Sequence, residues 1–253
     1  MPASKDAKTI LDTVITDGRN ELGRAKAGLG LSGLSAGLNI SLGAVAMAMV
    51  GSMTGGIGPL AIAFYPIGFI IVVLGRAQLF TENTVTPVTV VLARHAAVAE
   101  LLRFWFVVLA ANLLGALIFA MAAVYVELLP PAAAELMFDD VSKKLGYGFA
   151  LAAMKGIFGG WIVALMAWLV SAVQDTISQI FVVWMLAMMI PLLDLMHSIA
   201  GASEVLIAVF SGQATWFQYV FAFQIPTTIG NILGGVILVA ILNYGQVVGS
   251  RSA

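Results

Sequence analysis

Residues 27–75 read AGLGLSGLSAGLNISLGAVAMAMVGSMTGGIGPLAIAFYPIGFIIVVLG and contain no Asp, Glu, Lys or Arg. A helix that crosses the ~30 Å hydrocarbon core of a bilayer needs about 20 apolar residues. This run is long enough for more than one such helix, and its Gly- and Pro-rich cluster at 51–59 predicts a loop that divides it. The stretch therefore predicts a helical protein embedded in a membrane.

The composition of the whole chain excludes several classes of protein. Of its 253 residues, 61% are hydrophobic and 10% are charged, whereas a soluble domain is about 25% charged. This excludes a soluble enzyme and a disordered chain. A net charge of −1 gives no basic surface for nucleic acid. With no cysteine and two histidines, the chain is expected to hold no metal or cofactor. An intramembrane enzyme is not favoured either, because the sequence shows no set of nucleophile, base and orienting group.

Further uncharged runs cover 104–126, 156–174 and 205–250. With the first run they predict an all-α membrane protein with six spans, of which the second and fifth are broken by turn-forming or polar residues. The predicted spans are helix 1 at 31–50, segment 2 at 59–95 interrupted at 76–84, helix 3 at 102–126, helix 4 at 147–170, segment 5 at 177–212 interrupted at 191–204, and helix 6 at 225–245.

The predicted organisation has a channel domain at 29–247 between two short cytoplasmic parts, at 1–28 and 248–253. Lysine and arginine concentrate at the N-terminus and the loop between spans 2 and 3, which places both termini in the cytoplasm. The loop between spans 3 and 4 is then external. In the first 28 residues, Ile10, Leu11, Val14 and Ile15 have helical spacing and predict an amphipathic helix on the membrane or the pore mouth; a solvated tail is the alternative.

An internal repeat relates the two halves of the chain. Residues 111–118 read ANLLGALI and residues 230–237 read GNILGGVI, each in the third span of its half. Three spans per half is an odd number, so the second half enters the membrane from the opposite side, which makes an inverted 3+3 repeat. Short matches between Gly- and Leu-rich segments also arise by chance, and that alternative stays open.

The order and spacing of four motifs resemble the formate/nitrite transporter family over about residues 30–247. The motifs are LFT at 79–81 after Gly75, NLLGA at 112–116, HSIA at 197–200 and TIGNILGG at 228–235. The resemblance implies an aquaporin-like fold in the inner (cytoplasmic) membrane. It also implies a homopentamer with one pore per protomer for small monovalent anions such as formate, nitrite or hydrosulfide.

The resemblance assigns roles to single residues. His197 matches the pore histidine, Thr81 faces the pore from the first break, and Lys144 matches a basic residue ahead of helix 4. Apolar Leu79 and Phe80 are expected to form a constriction that bars hydrated ions. Two further positions, Asn112 and Asn231, are expected to bind freed backbone groups at the breaks.

Some positions depart from the family pattern and indicate a divergent branch. They are Gln78, Gly160, Met196 and Gly201, where the family usually has an acid, Asn, Glu and Asn. Two basic residues, Arg76 and Lys155, are additions. Lys155 is expected to extend to the external surface and add to the vestibule charge, or to pair with Asp194 or Glu204. Arg76 and Glu82 are expected to form an ion pair. Asp194, one turn before His197, is expected to orient the imidazole or to repel anions.

These features predict a channel for a small monovalent anion of a weak acid. The anion collects near Lys144, its pKa rises in the low-dielectric constriction, and it crosses as the neutral acid after taking a proton relayed by His197. A pore for neutral solutes such as water or polyols, and a membrane scaffold or sensor without transport, remain alternatives. The sequence leaves the substrate undecided.

Overall fold

The structure is a computed structural model that describes residues 5–250. Within that range every regular element is a helix. The helices are α1 Ala7–Leu22, α2 Lys26–Thr54, α3 Pro59–Ile62, α4 Ile67–Leu74, α5 Thr86–Leu92, α6 Val98–Tyr125, α7 Pro131–Leu145, α8 Gly148–Ala172, α9 Thr176–Leu192, α10 Ala200–Phe210 and α11 Gln218–Gly249. Of the predicted terminal parts, residues 1–4 and 251–253 lie outside the described residues.

Four helices, α2, α6, α8 and α11, are long and apolar enough to cross a membrane. Between them lie two interrupted segments. The first runs through α3 and α4, leaves α-helical geometry after Leu74, contains a single 3-10 turn at Glu82–Thr84, and resumes at α5; the second leaves α-helical geometry after Leu192 and resumes at α10. Both predicted interruptions are present, and the second is narrower than expected, at 193–199.

Both interruptions begin with a non-glycine residue in the left-handed backbone conformation. Arg76 follows α4 with φ 52° and Asp194 follows α9 with φ 55°. A left-handed residue other than glycine costs energy and turns the chain out of the helix. Pro191, in the last turn of α9, further weakens that helix end. Each loop therefore departs from the α-helix in a defined way, and the surrounding structure must hold it in place.

One helix was missed by the hydropathy of the sequence. The region between spans 3 and 4, predicted as a loop, contains α7, a 15-residue helix. Pro131 at its first turn and Lys143 and Lys144 at its last turn suit the two ends of a helix. A polar helix of this kind carries no long apolar run, so span prediction overlooks it. The N-terminal end of helix 1 also lies earlier than expected, at Lys26.

Glycines allow two pairs of long helices to approach at backbone distance. A Cβ at Gly37 on α2 would strike the backbone of Asn112 on α6, and a Cβ at Gly160 on α8 would strike the backbone of Asn231 on α11. Small residues at such crossings are the usual means of close packing in membranes. The two pairs bring both asparagines against the broken segments.

The short polar helices lie at opposite ends of α2. Buried Leu11 and Val14 of α1 belong to a core cluster that includes Val88 of α5 and Trp168 near the end of α8. Leu136 of α7 lies near Gly51, in the last part of α2. With 29 residues α2 is about 43 Å long at ~1.5 Å per residue. We call these ends the α1 side and the α7 side.

Candidate pore between two helix breaks

The two broken segments meet at Thr81 and His197. The Thr81 Oγ1 atom lies 2.7 Å from Nε2 of His197, and the two residues are 0% and 2% exposed. They are 116 positions apart in the chain and come from different interruptions. The packing therefore unites at one point the two polar residues that the sequence assigned to a pore.

The hydrogen bonds around His197 fix the state of its ring. Its Nδ1 atom accepts from the backbone N–H of Ala200 at 3.0 Å and of Ile199 at 3.3 Å, so Nδ1 carries no proton. The neutral tautomer then has its proton on Nε2, which donates to Thr81. The ring of Phe69 meets the imidazole edge-on, with the two ring centroids 5.2 Å apart, and gives His197 an apolar neighbour.

This tautomer changes the expected role of the histidine. A relay through the ring needs one nitrogen to take a proton while the other releases one. Nδ1 faces two backbone N–H donors. A proton on Nδ1 would point at these N–H groups and would break both hydrogen bonds. The geometry instead presents Nε2–H as a fixed hydrogen-bond donor.

Asn112 clamps the first break. Its Oδ1 accepts from the N–H of Phe80 at 2.8 Å, and its Nδ2 donates to the carbonyls of Gln78 and Gly33, both at 2.8 Å. The amide is fully buried. One side chain thus satisfies backbone groups that the broken helix leaves without helical partners.

Asn231 makes the corresponding bonds at the second break. Its Oδ1 accepts from the N–H of Ser198 at 2.8 Å, and its Nδ2 donates to the carbonyls of Met196 at 3.0 Å and Gly156 at 2.7 Å. In each break the amide oxygen takes one N–H and the amide nitrogen binds the carbonyl two residues earlier. The two loops are therefore held by the same three-bond arrangement.

Leu79 and Phe80, the expected constriction, are 0% and 1% exposed. The ring of Phe80 packs edge-on against Trp105, with centroids 5.9 Å apart. Trp105 in turn donates from Nε1 to the carbonyl of Asn83 at 2.9 Å. This contact fixes Phe80 against α6, next to Thr81.

Lys144, the expected vestibule charge, is paired with two carboxylates in the structure. Its ammonium lies 2.5 Å from Oε2 of Glu204 and 2.6 Å from Oδ2 of Asp140, and the residue is 9% exposed. Burial lowers the pKa of Lys144, but the two carboxylates raise it by more, so the pKa lies well above its usual value. The lysine is charged, and its charge is compensated locally.

Lys155 also differs from the preferred expectation, which placed its ammonium at the external surface. The Nζ atom turns to the second break, 2.8 Å from the carbonyl oxygen and 2.9 Å from the carboxylate of Asp194. The alternative pairing with Asp194 is therefore confirmed. Lys143, at 3.0 Å, and the hydroxyl of Tyr147 bind the same carboxylate oxygen. Asp194 is thus held by α7 and α8, and its hydrogen bonds among the described residues do not include His197.

A cavity of about 350 Å³ lies beside the first break on the α1 side. Glu21 of α1 lines it and accepts from Nε2 of Gln78 at 3.2 Å, while Oε1 of Gln78 accepts from Asn83 at 2.9 Å. Burial raises the pKa of Glu21 to about 7, and the bond from Gln78 offsets only part of this shift. Arg76 and Glu82 also line the cavity, but the expected ion pair between them is not found within residues 5–250.

Close packing leaves little room for a side chain at Gly160 and Gly201, two of the positions that depart from the family pattern. Gly201 lies under the ring of Phe223, where a Cβ would collide with the ring, and Gly160 lies against the backbone of Asn231. A larger side chain such as asparagine does not fit at either position without movement of these neighbours. The departures at Gly160 and Gly201 are therefore consistent with the local packing.

Sequence reasoning gave no role in the pore to Phe69 or Tyr147, and considered Glu204 only as a partner of Lys155. Glu204 is 2% exposed and is the last acid before the uncharged run at 205–250, a position that could have singled it out. Phe69 lies among apolar residues of α4, and no local signal separates it from ordinary core. Tyr147 lies between α7 and α8, and α7 itself was not foreseen.

Comparison with known proteins decides the family. The profile described as formate/nitrite transporter matches residues 8–245. The chain belongs to the formate/nitrite transporter family. The resemblance read from the four motifs is thereby confirmed, and with it a place among membrane transport proteins.

Members of the family and solved structures agree with this assignment. The chain is 33% identical to the inner membrane protein YfdC of Escherichia coli, over 95% of this chain and 79% of that protein. It is 29% identical to a probable formate transporter of Methanothermobacter thermautotrophicus, over 72% of each.

The fold is that of solved channels of the family. It matches an FNT family ion channel with a TM-score of 0.83 at 19% identity, over 95% of this chain and 99% of that one. A pentameric formate channel with formate bound matches with a TM-score of 0.75 at 21% identity, over 88% and 98%.

Proposed function

We propose that the chain is a channel, and not an enzyme, for small monovalent anions of weak acids, which cross as the neutral acid. The observation that carries this proposal is the buried contact between Thr81 and His197, where two broken segments meet. An intramembrane polar pair of this kind is costly and is by default a functional site. Formate, nitrite and hydrosulfide are the substrates that the family membership and the name of the formate-bound neighbour suggest.

The mechanism uses the pair as donors to the passing solute. An anion that enters the low-dielectric site loses hydration, so its charged form becomes costly and its pKa rises. Nε2–H of His197 and the hydroxyl of Thr81 then donate hydrogen bonds to its oxygen or sulfur atoms. In our proposal the proton comes from water in the vestibule, because Nδ1 of His197 is occupied by backbone donors. Leu79 and Phe80 keep the passage too apolar for hydrated ions.

The proposed architecture has six spans at 29–247 in an inverted 3+3 repeat. The equivalent bonds of Asn112 and Asn231, and the left-handed residue at the start of each break, support it. We place the α1 side, with segment 1–28, tail 248–253 and both termini, in the cytoplasm, and the α7 side outside. The membrane is the cytoplasmic membrane, as the name of the Escherichia coli relative suggests.

We also propose a homopentamer with one pore in each protomer. The solved formate channel with the same fold is pentameric, and the single chain exposes apolar side chains on its long helices, such as Phe106 and Leu31. These faces suit contact with lipid and with neighbouring protomers. Native mass spectrometry in mild detergent tests this state, and a stable monomer or dimer would contradict it.

Flux into proteoliposomes tests the function. Vesicles that hold a pH-sensitive dye receive formate, nitrite, hydrosulfide, acetate or lactate, and protein-free vesicles are the control. We expect anion uptake accompanied by proton uptake for at least one of these acids. Swelling with glycerol but no anion uptake would instead support a neutral-solute pore. A protein that transports neither would support the scaffold or sensor alternative.

A further inference from the structure

We infer that Lys155 is a positioning residue that holds the loop carrying His197 in its pore geometry. The inference rests on the proposed function of that site. Lys155 contacts neither His197 nor Thr81 in the described hydrogen bonds, so its effect passes through the loop at 193–199. That loop connects the end of α9 to the start of α10.

Lys155 binds the loop at more than one point. Its ammonium contacts the carbonyl oxygen and the carboxylate of Asp194, at 2.8 and 2.9 Å, at the beginning of the loop. Its own carbonyl accepts from the N–H of Met196 at 3.5 Å, the residue before His197. Asp194 is in the left-handed conformation, which needs such support from outside the loop. Charge-assisted bonds from one side chain to both parts of Asp194 provide it.

The first break lacks this charged support. At the first break the position of Lys155 is taken by Ser32, whose hydroxyl accepts from the N–H of Gln78 at 3.1 Å. Ser32 precedes Gly33 as Lys155 precedes Gly156, and both glycine carbonyls bind the clamping asparagine. Arg76, which matches Asp194 in conformation, has no ion pair within the part of the chain that the structure describes. Only the loop that carries the histidine is therefore held by a lysine.

Lys143 supplies a matched control on the same carboxylate. Its ammonium lies 3.0 Å from the same oxygen of Asp194, but its side chain is 57% exposed, against 20% for Lys155. Lys143 has no hydrogen bond to the loop backbone among the described bonds. Exposed ion pairs contribute little. Loss of Lys143 therefore tests the general effect of removing a charge near Asp194.

Hydrogen–deuterium exchange of the detergent-solubilised assembly tests the inference independently of transport. In Lys155→Met we expect the amides of 193–199 to exchange about tenfold faster or more, the change expected when charge-assisted bonds are lost. Lys143→Met and Lys155→Arg are expected to keep the wild-type exchange. The amides of 75–81 in the first break are expected to stay unchanged in all variants.

The same variants are then measured for flux of the acid that the wild type carries. We expect Lys155→Met to lose maximal flux about tenfold with little change in half-saturating concentration, and Lys155→Arg to restore it. Equal loop exchange in Lys155→Met and wild type would overturn the inference, as would an equal effect of Lys143→Met. If Lys155→Met does not assemble, Lys155→Gln, which keeps a donor for the carbonyl of Asp194, is compared with Lys143→Gln by the same criteria. A wild type without flux refutes the proposed function, while the exchange result still decides the role of Lys155.

Discussion

Two substitutions of His197 separate its two nitrogen atoms. In the wild type Nδ1 accepts two backbone N–H groups of the loop, and Nε2–H is the donor toward Thr81. The side-chain oxygen of asparagine can occupy the place of Nδ1, so His197→Asn keeps the loop bonds and removes the donor. The amide nitrogen of glutamine reaches the place of Nε2, so His197→Gln keeps the donor and removes the acceptor for Ala200.

The expected magnitudes follow from these bonds. The donor acts on the entering solute while it is still an anion, and a hydrogen bond to a charged group contributes about 1.5–3 kcal/mol. At 1.4 kcal/mol per factor of ten, His197→Asn should slow flux by about 10- to 150-fold while thermal stability stays near wild type. An unpaired buried N–H costs about 1–3 kcal/mol. His197→Gln should therefore be less stable but should keep flux within a few-fold of wild type.

The assay combines flux in proteoliposomes with thermal unfolding of the detergent-solubilised protein. Measuring both separates loss of the proposed pore donor from loss of structure, because His197→Asn is expected to lose flux and His197→Gln to lose stability. The reasoning is refuted if His197→Asn transports at the wild-type rate. It is also refuted if His197→Gln loses as much flux as His197→Asn while remaining folded, since the donor alone would then not explain the histidine.

Three further predictions concern the clamp, the N-terminal helix and the topology. Asn231→Leu leaves the N–H of Ser198 and the carbonyl of Met196 in the second break without their partner, at about 1–3 kcal/mol each, and also removes the bond to Gly156 of α8, so unfolding should occur at clearly lower temperature; an unchanged midpoint would contradict the clamp. Glu21 has a pKa of about 7 when buried, against an ordinary 4.5, so its stabilisation of α1 docking is complete below about pH 4.5 and is lost as pH rises through 7. A cysteine at buried Val14 should then react faster with maleimide, relative to a free thiol, at about pH 8 than at about pH 5, and Glu21→Gln should remove this difference. A cysteine at exposed Ala132 of α7 should be labelled from outside the cell, and labelling from the cytoplasm alone would reverse the proposed orientation.

Local properties of the chain were sufficient for much of the fold. Uncharged runs predicted α2, α6, α8 and α11 as long apolar helices. A spanning helix needs about 20 consecutive apolar residues, so its signal is contained in one stretch of sequence. The two interruptions were also predicted, since polar and turn-forming residues within an apolar segment indicate a break in the helix. The motifs at these breaks were enough to indicate the family.

Elements without such a local signal were missed or placed inaccurately. The polar helix α7 has no apolar run, and α2 begins at Lys26, before the predicted start of its span at 31. The preferred surface position of Lys155 failed for a related reason. Nothing in its neighbours along α8 shows that Asp194, 39 positions away, turns its carboxylate and carbonyl toward it.

The sequence by itself determined a membrane-embedded helical chain with two breaks, and it named Thr81 and His197 as the polar residues at those breaks. Only the tertiary structure decided that the two side chains touch, which nitrogen of the ring faces Thr81, and that Lys144 and Lys155 are paired. The reason is physical. Hydropathy and helix-breaking tendencies act over a few neighbouring residues. The protonation state of a buried ring and the partner of a buried charge depend instead on groups that packing brings together from distant parts of the chain.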